Sequence, residues 1–378
     1  MFRPGLYIHI PFCQSKCGYC NFYSIEPTGS LSEYINALLE ELSLYSCEFS
    51  FFDSIYIGGG TPSLLLPEAF SEILDQARKI FTIAKNTEIT VEINPADTSL
   101  HFLTTLRQTG VNRLNIGIQS FDADILCFLD RRHTAEQATQ SIEQARMAGF
   151  DNIGLDFIYG IPYQSIHSWK KTLSQALSFH PEHLSCYQLT LENETPLGRR
   201  CQKGEFTLPD EEIQAEFFMT TSEIIEAAGY QHYEVSSFAR NDTFRSRHNQ
   251  KYWQHIPYLG IGPAAHSFSG NKRWWNHRSV EHYLIDVREG RRPVEGFERL
   301  TPAQKKFETV FLGLRTSRGL ALKHYTKYAE GDIVSSSQQE KERTLNHLIQ
   351  QGLVVIRDGF IKPTCKGLAI ADRLALIL

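Results

Sequence analysis

The 378-residue sequence contains no run of about 18 apolar residues, so no membrane-spanning helix is expected. Its first apolar stretch, residues 6–12, is too short and too interrupted for a secretory leader, and no small-residue cleavage site follows it. These absences predict a cytoplasmic protein whose membrane contact, if any, is peripheral. An excess of charge of one sign is also missing. Lys and Arg total 38 and Asp and Glu 43, a net charge of −5. A broad nucleic-acid surface, which needs many cations to displace phosphate counterions, is therefore not expected. There is no solenoid-period repeat and no low-complexity tract. The eight cysteines lack the even spread of a disulfide framework. Three fall between Cys13 and Cys20. Cys47, Cys127, Cys186, Cys201 and Cys365 are scattered and read as ordinary core or surface thiols. In a reducing compartment, clustered thiols point to metal or catalysis.

What is present is the composition of a globular chain, 42% hydrophobic and 21% charged, long enough for roughly two to three domains. Short apolar runs at residues 6–10, 54–57, 89–93, 113–118, 154–159 and 184–189 read as strands. Helical patterns at 32–44, 67–80, 100–109, 134–148 and 168–178 lie between them. Such alternation predicts right-handed crossovers and a parallel sheet, as a partial (β/α)6 barrel or an open doubly wound sheet. In either, ligand-binding residues gather at the C-terminal strand ends. Residues 211–228 read as one long helix, and 230–280 are rich in aromatics and histidine with weak periodicity. Near residue 299 the character changes again. Helical patterns at 304–314, 324–329 and 340–351 precede two apolar runs flanking Asp358-Gly359, a hairpin signal. This predicts a winged-helix-like module for packing or partner docking, since its cations are not grouped for DNA. The expected domains are 1–195, 196–298 and 299–378.

The sharpest local signal is Cys13-Gln-Ser-Lys-Cys17-Gly-Tyr-Cys20, directly after the first strand. Three thiolates at this spacing suit three corners of an iron–sulfur cube and leave one iron open. Zinc with His9 as a fourth ligand, or three structural thiols, are the alternatives. Gly58-Gly59-Gly60-Thr61-Pro62 follows the second strand and can expose backbone N–H groups to a ligand, or serve as a plain turn. No Gly-Lys-Ser/Thr follows, so it is not a phosphate loop. Glu92, Gln119 and Asp156 each lie near the end of a predicted strand. A carboxylate in an apolar strand is costly unless paired, which calls for a cationic ligand or a structural ion pair. Arg131 is available for bidentate pairing with a carboxylate.

The Cys-x3-Cys-x2-Cys cluster after a first strand resembles the signature of the radical S-adenosylmethionine superfamily. The resemblance implies a [4Fe–4S] cluster on Cys13, Cys17 and Cys20, with the open iron taken by S-adenosylmethionine. It also implies Tyr19 against the adenine and the glycine motif at the methionine end. Tyr-Ile-His-Ile-Pro-Phe-Cys, Gly-Gly-Gly-Thr-Pro and Gly-Ile-Gln-Ser-Phe further resemble the oxygen-independent coproporphyrinogen III oxidase group. By that resemblance Tyr7, Gly59, Gly60, Thr61, Glu92, Gln119, Arg131 and Asp156 match positions that contact S-adenosylmethionine.

The group divides into oxidases and heme chaperones. The oxidases carry another cysteine two residues after the third, where this sequence has Phe22, and an N-terminal extension not expected here. His248-Asn249-Gln250-Lys251-Tyr252-Trp253 resembles the chaperones' heme-binding motif, His-Asn-x-x-Tyr-Trp. Imidazole is a common axial ligand of heme iron, so His248 is the candidate; packing of the join between barrel and module is the other reading. His255, His266 and His277 lie close by in sequence, and Arg245, Arg247 and Lys251 are available cations. The implied partners are heme, apo-hemoprotein recipients such as membrane-bound respiratory enzymes, and an electron donor if the cluster is redox active. The competing expectation is oxidative decarboxylation of coproporphyrinogen III.

Overall fold

The computed structural model describes residues 3–27, 31–327 and 338–378. All six expected strands form: β1 (Gly5–Ile10), β2 (Phe51–Gly59), β3 (Thr82–Ile93), β4 (Arg113–Gln119), β5 (Ile153–Tyr159) and β6 (His183–Gln188). They pair in chain order and in parallel. The connecting helices are α1 (Leu31–Leu44), α2 (Pro67–Ile80), α3 (Leu100–Gln108), α4 (Ala123–Phe128), α5 (Ala135–Met147) and α6 (Ile166–Ser178). Their starts are chemically specified. Pro67 opens α2, Ser99 caps α3 and Ser165 caps α6, and Thr134 forms a capping box with Gln137 at α5.

Alternation along the strands explains where the core sits. Leu6, Ile8 and Ile10 of β1, Val91 of β3, Ile116 of β4 and Leu155 of β5 are buried with Phe70, Leu74, Leu106 and Trp169 of the helices. The intervening residues are polar and meet each other instead. Tyr56 bonds Glu92, Asn115 bonds Asp156, and Arg113 bonds Thr90. A parallel sheet with helices on one face and buried, mutually bonded polar side chains on the other is a barrel segment with a polar interior.

The weakly periodic stretch after β6 proves to be more sheet. After α7 (Pro196–Gln202) and α8 (Glu211–Ala227) come β7 (Gln231–Glu234) and β8 (Ser237–Ala239). Then follow α9 (Arg247–Trp253), β9 (Tyr258–Ile261), β10 (His266–Ser269), β11 (Lys272–Asn276), α10 (Val280–Arg288) and β12 (Val294–Arg299). β8 joins β6 antiparallel, with β7 outside it. β9 joins β1 in parallel and carries β10, β11 and β12 in turn. The result is one mixed sheet of 12 strands whose outer edges are β12 and β7.

The C-terminal module has its own apolar cluster, including Leu314, Leu348, Val354, Ile361 and Leu374. It comprises α11 (Pro302–Gly313), β13 (Leu320–Ala321), α12 (Leu322–Lys327), α13 (Gln338–Gln350), β14 (Val354–Arg357), β15 (Phe360–Pro363), α14 (Cys365–Ala369) and α15 (Ala371–Ile377). The expected helix at 324–329 is found as α12, and its last two residues lie outside the described ones. Asp358 and Gly359 both take positive φ, 54° and 76°, as a two-residue hairpin turn requires. No helix among the described residues is long and apolar enough to cross a membrane.

Candidate cofactor and ligand site

The loop after β1 carries the three cysteines and is tied at both ends. Cys13 N donates to Ile25 O at 2.9 Å, and Ile25 N donates to Pro11 O at 2.7 Å. The glycine motif at the end of β2 slides beneath it: Gly60 N donates to Ile10 O and Thr61 N to Phe12 O, both at 2.7 Å. A Cβ on Gly60 would lie 2.6 Å from Phe12 O, so only glycine permits this approach. Thr61 Oγ1 donates to Cys13 Sγ at 3.3 Å. Part of the glycine motif therefore serves to seat the cysteine loop.

Cys13, Cys17, Cys20, Tyr19, Gly59, Gly60, Thr61, Glu92, Gln119, Arg131 and Asp156 all line one cavity of about 450 Å³ at the C-terminal strand ends. Glu92 accepts from Tyr56 OH at 2.7 Å and from Gly59 N at 3.1 Å. Burial pushes its carboxyl up to about 7, and the nearby Asp156 charge adds to the shift. Burial likewise lifts Asp156 to about 6, against the Ser185 and Asn115 side chains that favour its charged form; Asn115 donates to its Oδ2, while Oδ1 makes no well-formed hydrogen bond among the described residues. Arg131 donates to Gly117 O at 2.8 Å and to Cys17 Sγ at 3.5 Å, leaving Nε without a hydrogen-bond partner among the described residues. Gln119 sits at φ +63°, beside a register shift in the β4–β5 pairing. A glutamine held in the left-handed region is strained, and such strain gathers at functional sites.

These features bear on what the cavity can hold. An unpaired carboxylate oxygen and an unpaired guanidinium nitrogen, both buried, suit a zwitterionic ligand that also carries a cationic centre. Three thiols on one short loop suit iron–sulfur ligation, in which each thiolate takes a separate iron. Among the described residues no three His, Cys, Asp or Glu side chains close around a single metal ion. Zinc through His9 is disfavoured. His9 Nδ1 accepts from Tyr7 OH at 2.9 Å, and Nε2–H donates to the Tyr23 carbonyl at 2.9 Å.

Two expected site residues lie elsewhere. Tyr7 faces a second cavity of about 660 Å³, lined also by Tyr252, Tyr258, His266 and Trp275. Asn21 and Phe22 line both cavities, and Phe22 is 71% exposed between them. His248 is buried and reaches neither cavity. Ser54 Oγ is 3.1 Å from its Nδ1 and Tyr252 OH 2.8 Å from its Nε2. Burial, with Lys251 nearby, lowers its pKa to about 3. Lys251 itself pairs with Asp53 at 2.6 Å, and Arg247 donates to the Asp53 and Asn86 carbonyls. Sequence reasoning missed Asn115, which holds Asp156. The signal was there: Arg113, Asn115, Gly117 and Gln119 alternate with Leu114, Ile116 and Ile118.

Comparison with known proteins agrees with this geometry. Residues 7–176 match the model of the radical SAM superfamily, and residues 300–370 match the HemN C-terminal domain. The chain is 36% identical to heme chaperone HemW of Mycobacterium tuberculosis, over 84% of this chain and 83% of that protein. It is 34% identical to heme chaperone HemW of Bacillus subtilis, over 93% and 95%. With mouse mitochondrial radical S-adenosyl methionine domain-containing protein 1 it shares 32% identity, over 100% and 87%. The solved structure of coproporphyrinogen III oxidase (HemN) from Escherichia coli superposes with a TM-score of 0.82. That match is 24% identical and covers 100% of this chain and 90% of the other.

Proposed function

We propose that this chain, which belongs to the radical S-adenosylmethionine superfamily and to its HemN/HemW branch, is a heme carrier. It binds heme beside a [4Fe–4S] and S-adenosylmethionine site and passes heme to apo-hemoproteins. The observation that carries this reading is the second cavity: an aromatic, histidine-bearing groove that adjoins the thiol-lined one across Phe22. Aromatic walls suit a flat macrocycle and imidazoles suit its iron. The curated relatives named heme chaperones support the same reading.

Cys13, Cys17 and Cys20 would hold the cluster. Glu92 and Asp156 would face the cationic groups of S-adenosylmethionine and Arg131 its carboxylate, with Gly59, Gly60, Thr61, Gln119 and Tyr19 completing the walls. When bound, the pair supplies one-electron reductive chemistry, for which an external electron donor is needed. Tyr7 lines the adjoining groove and packs 6.3 Å, ring to ring, from Tyr56, the donor to Glu92, so it stands between the two sites. The Tyr252 hydroxyl of the His-Asn-x-x-Tyr-Trp motif covers His248 Nε2, so ligation through His248 requires Tyr252 to leave. On this reading residues 1–195 hold the cluster and S-adenosylmethionine, 196–298 supply the groove together with Tyr7, His9 and Tyr23 of the first domain, and 299–378 close its far end and dock the recipient. The work is done in the cytoplasm, with peripheral membrane contact where the recipient is membrane-bound.

The test is to reconstitute the cluster anaerobically and assay heme binding and coproporphyrinogen III turnover in parallel. Stoichiometric heme uptake without decarboxylation is expected; robust decarboxylation overturns the carrier reading. Cys17→Ala should abolish the visible absorption of the cluster, and its survival would remove Cys17 from the ligand set.

A further inference from the structure

The groove offers a better iron ligand than the motif histidine. The second cavity and a neighbouring one of about 630 Å³ share Tyr252, Tyr258, His266 and Trp275, so they form one continuous trough. Its far wall is α11, through Phe307 and Phe311. Three histidines line the trough. His9 spends both ring nitrogens on Tyr7 and Tyr23. His255 is half-buried beside α11, its Nε2 3.2 Å from a Glu308 oxygen; neither ring nitrogen makes a well-formed hydrogen bond among the described residues, but the carboxylate stands against that edge of the ring. The His266 ring opens partly to solvent, hydrogen-bonds no described residue and stacks on Trp275 with centroids 5.9 Å apart at 28°. Partial burial, with Arg273 and Arg278 nearby, lowers its pKa, which keeps the nitrogen lone pair free at neutral pH. One cation is equally uncommitted. Arg278 lines the trough over the Tyr23 ring and has no carboxylate partner among the described residues, whereas Arg273 is held by Glu298 and Glu308.

We propose that His266 is the axial ligand of heme iron in this trough, with Trp275 supporting the imidazole and Arg278 pairing a heme propionate. The assignment rests on the heme-carrier reading. It places the iron over the β10–β11 hairpin rather than at α9. His248 then acts as a buttress that holds Tyr252 in the trough wall.

Ferric heme titrated into the full-length, cluster-loaded protein tests this, read by the Soret band and by the ligand-field electron-spin spectrum. His266→Ala should weaken heme binding about tenfold or more and shift the Soret band. His266→Met should restore binding with a His-to-Met change of spectrum. Arg278→Gln should weaken ferric heme binding but leave heme dimethyl ester, which lacks the carboxylates, unaffected. Wild-type affinity and spectrum in His266→Ala would overturn the ligand assignment, all the more if His248→Ala loses them. Failure of the wild-type protein itself to bind heme would instead overturn the carrier reading.

Discussion

Glu92 and Asp156 are two buried carboxyls whose pKa values burial lifts to about 7 and about 6. Each is charged only above its own pKa. Affinity for a cationic ligand such as S-adenosylmethionine should therefore rise as pH climbs through about 6 to about 7 and level off beyond. Equilibrium binding across that window checks this, and Asp156→Asn should weaken binding about tenfold and flatten the lower part of the rise. Stability of the ligand-free protein has the opposite sign. Folded pKa values above the unfolded 3.8 and 4.5 mean that the folded state holds extra protons. Their contribution is full below the unfolded values and is lost as pH rises to about 7. Glu92→Gln should remove its share of that slope in urea midpoints taken across the window. Both carboxyls were legible in the sequence, because a charge inside an apolar strand stands out. The missing partner on Asp156 Oδ1 was not, since it depends on where Asn115 and Ser185 arrive from adjacent strands.

One helix shows how distant segments depend on each other. α1 buries Glu41, which accepts from Gly262 N at 2.8 Å, Asn276 Nδ2 at 2.6 Å and Tyr283 OH at 2.8 Å. The first crossover is thus pinned to β11, α10 and the turn after β9. Removing the carboxyl strands three buried donors. Glu41→Ala should cost about 3 kcal/mol in urea unfolding, and Glu41→Gln less, because an acceptor oxygen remains. Six strands and most helices of the barrel were readable because each repeats its pattern over several residues. β7 to β12 were not. They are three to six residues long; β7 to β11 show no clean period over so few residues, and β12 alternates but has no fully buried face, so it lacks an apolar run.

Across the molecule, the module and the sheet meet at polar joints as well as at an apolar seam, where α14 packs on α8 with Cys365 Sγ 3.6 Å from Met219 Sδ. Arg273 of β11 and His255 both reach Glu308 of α11, and Val235 N donates to Arg315 O. Glu308→Ala should raise amide exchange along α11 and leave β1 to β6 protected, since the parallel strands have their own core. A uniform rise would show instead that the two apolar clusters unfold together. Hydrogen-exchange mass spectrometry separates these outcomes.

The cysteine spacing, the glycine run and the strand–helix alternation are local patterns. They were enough to specify the superfamily and the parallel core, because thiolate ligation and strand burial act over neighbouring residues. Which histidine faces a ligand is not local. His248 and His266 are equally plausible imidazoles in a string of letters. Only the folded chain separates them, enclosing one between Ser54 and Tyr252 and leaving the other open on Trp275, and the proposed ligand rests on that difference.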